Sequence, residues 1–96
     1  MIKHIVFFKM NQESKAENIV ALKKALEGLV GKVPTLLDLE VGVDFNKSAA
    51  ASDLSLYTEF NTKEDLEAYQ IHPEHLHVVE LVKAVTCERH VVDYEV

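Results

Sequence analysis

The chain has one cysteine, no tryptophan, three glycines and two prolines among its 96 residues. A single cysteine, Cys87, excludes an internal disulfide and any thiolate-rich metal centre, and it fits a reducing, cytoplasmic setting. Little glycine and proline excludes collagenous and low-complexity architectures. Positive charge is neither abundant nor clustered: ten Lys and Arg stand against sixteen Asp and Glu, a net charge of −6. No nucleic-acid partner is expected, because tracking phosphates needs concentrated basic residues. Apolar runs are a few residues long, far short of the ~18–20 that cross a bilayer, so no membrane partner is expected either. The opening residues carry Lys3 and Lys9 and no small-residue cleavage site, which is not the pattern of a secretory leader. What remains is an ordinary globular composition, 48% hydrophobic and 27% charged, sufficient for one domain over residues 1–96 and not for two.

Hydrophobic periodicity then orders the elements. Residues 2–10 alternate, with Ile2, His4, Val6, Phe8 and Met10 on one face and Lys3, Ile5, Phe7 and Lys9 on the other. Ile19, Leu22, Leu26 and Leu29 recur at helical steps; Asn11 or Ser14 is the expected cap, and Gly31 followed by Pro34 the expected end, about five turns in all. Period two returns over residues 35–44, with Leu37, Leu39, Val41 and Val43 on one face, and again at Leu54, Leu56, Thr58 and Phe60. Asn61 or Thr62 opens a short helix carrying Leu66 and Tyr69. The helix breaks at His72-Pro73, since the residue before a proline is driven out of helical geometry. Pro73 then suits the first turn of a further helix, with Leu76, Val79, Val82 and Val85 as the expected buried stripe. Residues 88–95 close as a last strand.

The order β-α-β-β-α-β, with its second helix interrupted, predicts an α+β fold: a ferredoxin-like antiparallel sheet with its helices on one face. The other face carries Ile5, Phe7 and Tyr57, and the chain has nothing left to cover it. A second copy is the simplest cover, so the expectation is a homodimer forming an α/β barrel of two facing sheets.

Three of the five histidines, His72, His75 and His77, fall within six positions. They do not predict a metal. On a helix opening at Pro73, His75 and His77 are about 200° apart and cannot share an ion; His72 and His75 alone do not complete a zinc site. His72 is read instead as a helix cap and His77 as solvated. His4 lies on the apolar face of the first strand, where a buried imidazole needs a partner. The plain reading is a satisfied core histidine. The sharper one places His4, Tyr69 and His75 at the mouth of a cavity between sheet and helices, edging it without filling the core, so that substitutions there change stability little. Two imidazoles and a phenol could hold a small polar head group or move a proton.

The segments His4-Ile5-Val6-Phe7-Phe8-Lys9, Tyr69-Gln70-Ile71-His72-Pro73-Glu74-His75 and Val92-Asp93-Tyr94 resemble those of the stress-responsive A/B barrel domain family, Dabb, and the likeness in element order runs through the whole chain. The resemblance implies a dimeric α+β barrel. It also brings in relatives of the olivetolic acid cyclase kind, cofactor-independent polyketide cyclases that use a histidine as base and a tyrosine to hold the substrate. Tyr69 and His75 resemble that pair, and His4 the histidine of their first strand; Leu54 stands where those cyclases carry a further pocket histidine. The expected function is a homodimer binding a small apolar or polyketide-like molecule without cofactor. The alternatives are an acid–base enzyme performing aldol cyclisation, with His75, Tyr69 and His4 as catalytic residues, and a cofactorless monooxygenase, the latter on fold analogy alone.

Overall fold

A computed structural model describes residues 1–96 as strands β1 (Ile2–Met10), β2 (Asp38–Val43), β3 (Leu54–Phe60) and β4 (Thr86–Glu95) with helices α1 (Lys15–Glu27), α2 (Lys63–Gln70) and α3 (Pro73–Val85). The four strands form one sheet in the order β2-β3-β1-β4, and every neighbouring pair is antiparallel. Each helical connection therefore joins two parallel strands with a third strand between them, the split β-α-β arrangement of ferredoxin-like folds.

Registration follows the alternation of apolar residues. Opposite β1, residues His4, Val6 and Phe8 face Thr58, Leu56 and Leu54 of β3, and Asp93, Val91 and Arg89 of β4. These residues share the helix-covered face. Ile2, Val6, Phe8 and Met10 are buried there with Leu22, Leu26, Leu54, Leu56 and Phe60, the sheet-to-helix core. Thr58 is the buried hydroxyl of the sheet side of this layer, and it donates to the His4 carbonyl at 2.9 Å, so it adds no unsatisfied polar group.

Local chemistry sets the helix ends. Thr62 accepts a hydrogen bond from the Asp65 amide at 3.1 Å, and His72 Nδ1 accepts one from the Glu74 amide at 3.1 Å, with Pro73 in the first turn of α3. Thr62 and His72 are thus the caps expected of them. Ser14 is not. It sits in the left-handed region (φ 53°), where its hydroxyl cannot face the first amides of α1, and it makes no capping bond. Helix α1 also stops at Gly28, before Gly31, because residues 28–35 form successive turns, with Gly31 at φ 82° supplying the reversal. Strand β2 accordingly begins at Asp38, three residues later than the alternation suggested, and β4 begins at Thr86, two residues earlier.

The stripe of α3 also needs correction. Val78 and Val85 are its buried residues, with Leu81 and Val82 packed beside them, while Leu76 is half exposed. Capping by His72 fixes the phase of the helix so that His75, Val78, Val79 and Val82 face the sheet; Leu76, one step past His75, is rotated away.

The second face of the sheet is bare. Ile5 lies between Tyr57 and Val92, and Phe7 between Ser55 and His90, with no helix over them. Phe7, Val92 and Tyr94 are each more than a third exposed. Lys3 sits on the same face, hydrogen-bonded to the Tyr57 hydroxyl and 3.4 Å from a Glu59 carboxylate oxygen.

Candidate ligand cavity

The break between α2 and α3 brings the expected residues together. Tyr69 is in the last turn of α2 and His75 in the first turn of α3, and their rings pack with centroids 4.3 Å apart at 46°. His4 reaches the other side of Tyr69 from β1, edge-on at 6.4 Å. Phe60 supports Tyr69 from β3 at 5.0 Å.

Above His4 and His75 lies a cavity of about 300 Å³, closed below by the sheet and flanked by α1 and α3. Val6, Phe8, Leu26, Leu56, Val78 and Val82 make its walls apolar. That volume is at the small end of the usual range for ligand pockets, which combine apolar walls with a few polar groups.

The three site residues differ in what they offer. His75 Nδ1 is 3.0 Å from the Gln70 carbonyl. A carbonyl only accepts, so Nδ1 carries the hydrogen and Nε2 keeps a free lone pair. Burial pushes the His75 imidazole below its ordinary pKa of 6.5; the Gln70 carbonyl opposes this in part, and the nearby His4 and Arg89 reinforce it. His75 is therefore neutral at physiological pH. His4 is buried, and its Nδ1 donates to the Asp93 carboxylate across the β1–β4 ladder. This is the partner a buried imidazole requires, and it turns the other ring nitrogen away from β4.

Tyr69 departs from expectation. It does not edge the cavity but lies behind its lining, 0% exposed and part of the core cluster. Packing against Phe60, His4 and His75 leaves its ring no route to solvent, so its substitution bears on stability as well as on the site. Its hydroxyl is buried without any hydrogen-bond partner. Burial pushes that phenol up to about 12, while the Arg89 guanidinium opposes the shift. The hydroxyl end thus lies within electrostatic reach of Arg89, itself part of the cavity lining.

Two lining residues, Arg89 and Lys83, were not singled out from the sequence, and Asp93, quoted there only within the Val92-Asp93-Tyr94 segment, had no role read for it. Every residue of β4 after Thr86 is exposed, and only the pairing of His4 with Asp93 and Phe8 with Arg89 assigns these two to the helix-covered side. The remaining histidines do not converge with His75. His72 is spent on its cap, His77 is exposed, and nowhere do three His, Cys, Asp or Glu side chains gather in a metal-binding arrangement.

The model of the stress responsive A/B barrel domain matches residues 2–96. The chain belongs to that family. A curated relative, the stress-response A/B barrel domain-containing protein DABB1 of Arabidopsis thaliana, is 30% identical over 98% of this chain and 46% of its own length. The chain thus spans about half of that relative. A ferredoxin-like protein of unknown function from Bacteroides fragilis, described as dimeric, superposes with a TM-score of 0.90 at 31% identity, covering 99% of this chain and 95% of its own. The hydroxynitrile lyase of Passiflora edulis shares the fold, with a TM-score of 0.86 at 16% identity over 97% of this chain and 90% of its own. The family membership agrees with the resemblance read from the Tyr69–His75 segment, and the ferredoxin-like α+β fold with the reading of element order.

Proposed function

We propose that this chain is a homodimeric binding protein for a small molecule, which it takes into the cavity above His4 and His75. The observation that carries the reading is a free imidazole nitrogen beside apolar walls: His75 Nε2, left free because Nδ1 is held by the Gln70 carbonyl. An apolar ligand with one hydrogen-bonding group gains burial from the walls and orientation from the imidazole. Dimerisation is supported by the bare sheet face around Ile5, Phe7, Val92 and Tyr94 and by the dimeric relative from Bacteroides fragilis. A reducing cytoplasm suits the free thiol of Cys87. The test is titration with apolar probes bearing a single polar group, followed by the ring resonances of His75 and His4. The His75 ring should shift saturably; shifts confined to the outer sheet face would overturn the assignment of the cavity.

A second reading adds chemistry at the same place. A neutral imidazole with a free nitrogen is a competent general base, whereas Tyr69, expected as the oxyanion donor, has its hydroxyl buried behind the lining and out of contact with the cavity. In this reading His75 removes a proton from carbon beside a carbonyl, Tyr69 holds the His75 ring from behind the lining, and His4, held by Asp93, keeps the pocket in shape. A plant hydroxynitrile lyase shares the fold. Turnover of β-keto thioesters, abolished in His75→Ala, separates this reading from binding alone.

A further inference from the structure

The polar part of the cavity has a sign. In a chain with sixteen Asp and Glu residues, none of the cavity's eleven lining residues is a carboxylate. Its ionisable lining consists of His4, His75, Lys83 and Arg89. Arg89, the only arginine of the chain, projects from β4 on the helix-covered side, opposite Phe8. Lys83 comes from the far end of α3. Both are exposed, so they form the rim of the chamber, with the apolar walls deeper. Neither has a carboxylate within ion-pair distance, although Lys3, Lys15 and Lys23 elsewhere are each paired. The acid that does approach this region, Asp93, is engaged with His4.

We infer that the ligand of this cavity is a small amphiphilic carboxylate, its anionic end held at the rim by Arg89 and Lys83 and its apolar body laid against Val6, Phe8, Leu26 and Leu56. The inference rests on the cavity being the binding site and adds the chemical class of what enters. A guanidinium presents a planar fork that matches a carboxylate with two parallel hydrogen bonds, and a neighbouring ammonium adds a point charge. In a protein of net charge −6 the general field repels anions, so affinity for one needs local cations freed from other partners. Rim and wall together specify an anion at one end and hydrocarbon at the other. An apolar ligand without charge would leave both cations solvated and gain nothing from them.

The matched probes are octanoate and 1-octanol, which share a chain length and differ in charge. Titrated into the full chain, octanoate should bind at least about tenfold more tightly, the worth of one charge-assisted hydrogen-bonded contact. Added salt should weaken octanoate and leave octanol unaffected, because only the former gains from screened charge. Arg89→Gln should remove most of the preference and Lys83→Gln part of it, whereas Lys32→Gln, in the turn after α1, should keep it whole. Equal affinity of both probes for the wild type, with His75 shifting in each case, overturns the anion assignment and leaves the cavity as a binding site. Absence of any shift at His75 with either probe overturns the cavity and this inference together. Retention of the full preference in Arg89→Gln also overturns it.

Discussion

Tyr69 and His75 pack ring against ring across the only interruption in the helical layer, 4.3 Å between centroids, and the interruption is what lets them meet. An unbroken helix would turn positions 69 and 75 about 600° apart, or 240° net, onto different faces. Pro73 ends α2, His72 caps α3, and the new helix phase points His75 at the sheet. Behind the pair, Phe60 and His4 hold Tyr69 so firmly that its hydroxyl is stranded.

That stranded hydroxyl makes Tyr69→Phe informative. A buried hydroxyl without a partner costs roughly 1–3 kcal/mol of desolvation, so its removal should leave stability unchanged or raise it by up to that amount. The same variant keeps the ring packed against His75, so the rate on any substrate the cavity turns over should change by less than about tenfold. Tyr69→Ala, by contrast, empties part of the core and should cost about 3–5 kcal/mol, by analogy with other large aromatic truncations. Denaturant unfolding of the two variants checks both signs. A clear destabilisation by Tyr69→Phe would mean that the hydroxyl has a partner in solution.

His75→Ala separates catalysis from binding. If the site performs acid–base chemistry, the variant should lose on the order of 10²–10⁴ in rate, the usual worth of a positioned base. If the cavity only binds, affinity should fall modestly and no substrate should turn over. Steady-state rates on β-keto thioesters, together with probe affinities, read the two outcomes apart.

The same histidine should make stability depend on pH. Its folded pKa lies below the ordinary 6.5, chiefly through burial, so the unfolded chain takes up a proton before the folded one does. The contribution is present in full above 6.5 and is lost as pH falls through that value toward the folded pKa. Midpoints of thermal unfolding measured from about pH 8 down to pH 5 should show this decline, and His75→Gln should flatten it. An unchanged slope in the variant would assign the effect to another group.

Asp53 governs the more acidic range. Burial raises its pKa, but the Met10 amide, at 2.7 Å, and Lys15, at 2.9 Å, outweigh that and hold it below 3.8. Its stabilising effect is therefore complete above 3.8 and disappears as pH falls below it. The bond reaches β1 at its β-bulge, where the ladder to β4 shifts between Lys9 and Met10 and the Met10 amide turns to Asp53. Asp53→Asn should cost about 1–3 kcal/mol at neutral pH, the range for a lost charge-assisted bond, and should shrink the acid-sensitive part of the unfolding curve.

The bare sheet face predicts the oligomer. Wild-type chain at micromolar concentration should run as a dimer in light scattering, with the face around Phe7 buried. Phe7→Glu would place a charge there without an opposite partner, at a cost of several kcal/mol, and should yield monomers. A monomeric wild type would remove the second copy from the reading of Ile5, Tyr57 and Val92.

Periodicity by itself determined most of the architecture. Alternation in β1 and β3, the three- and four-residue steps of α1 and the Pro73 break are local properties, and local sterics and burial decide them without reference to distant residues. The segment Tyr69 to His75 likewise carried its own break: His72 as cap and Pro73 in the first turn end one helix and open the next. Element ends were less legible. Gly31 and Pro34 were plausible stops for α1, yet turns beginning at Gly28 won, because Leu29 and Val33 are buried by folding back rather than by continuing the helix. Only the tertiary structure decided that Asp93 meets His4 and that Arg89 reaches the cavity, since both depend on the β1–β4 register, a pairing between residues at opposite ends of the chain. Only packing, too, set Tyr69 behind the lining instead of at the mouth: Phe60 and His4 close on it from β3 and β1, and no spacing along the Tyr69–His75 segment encodes their arrival.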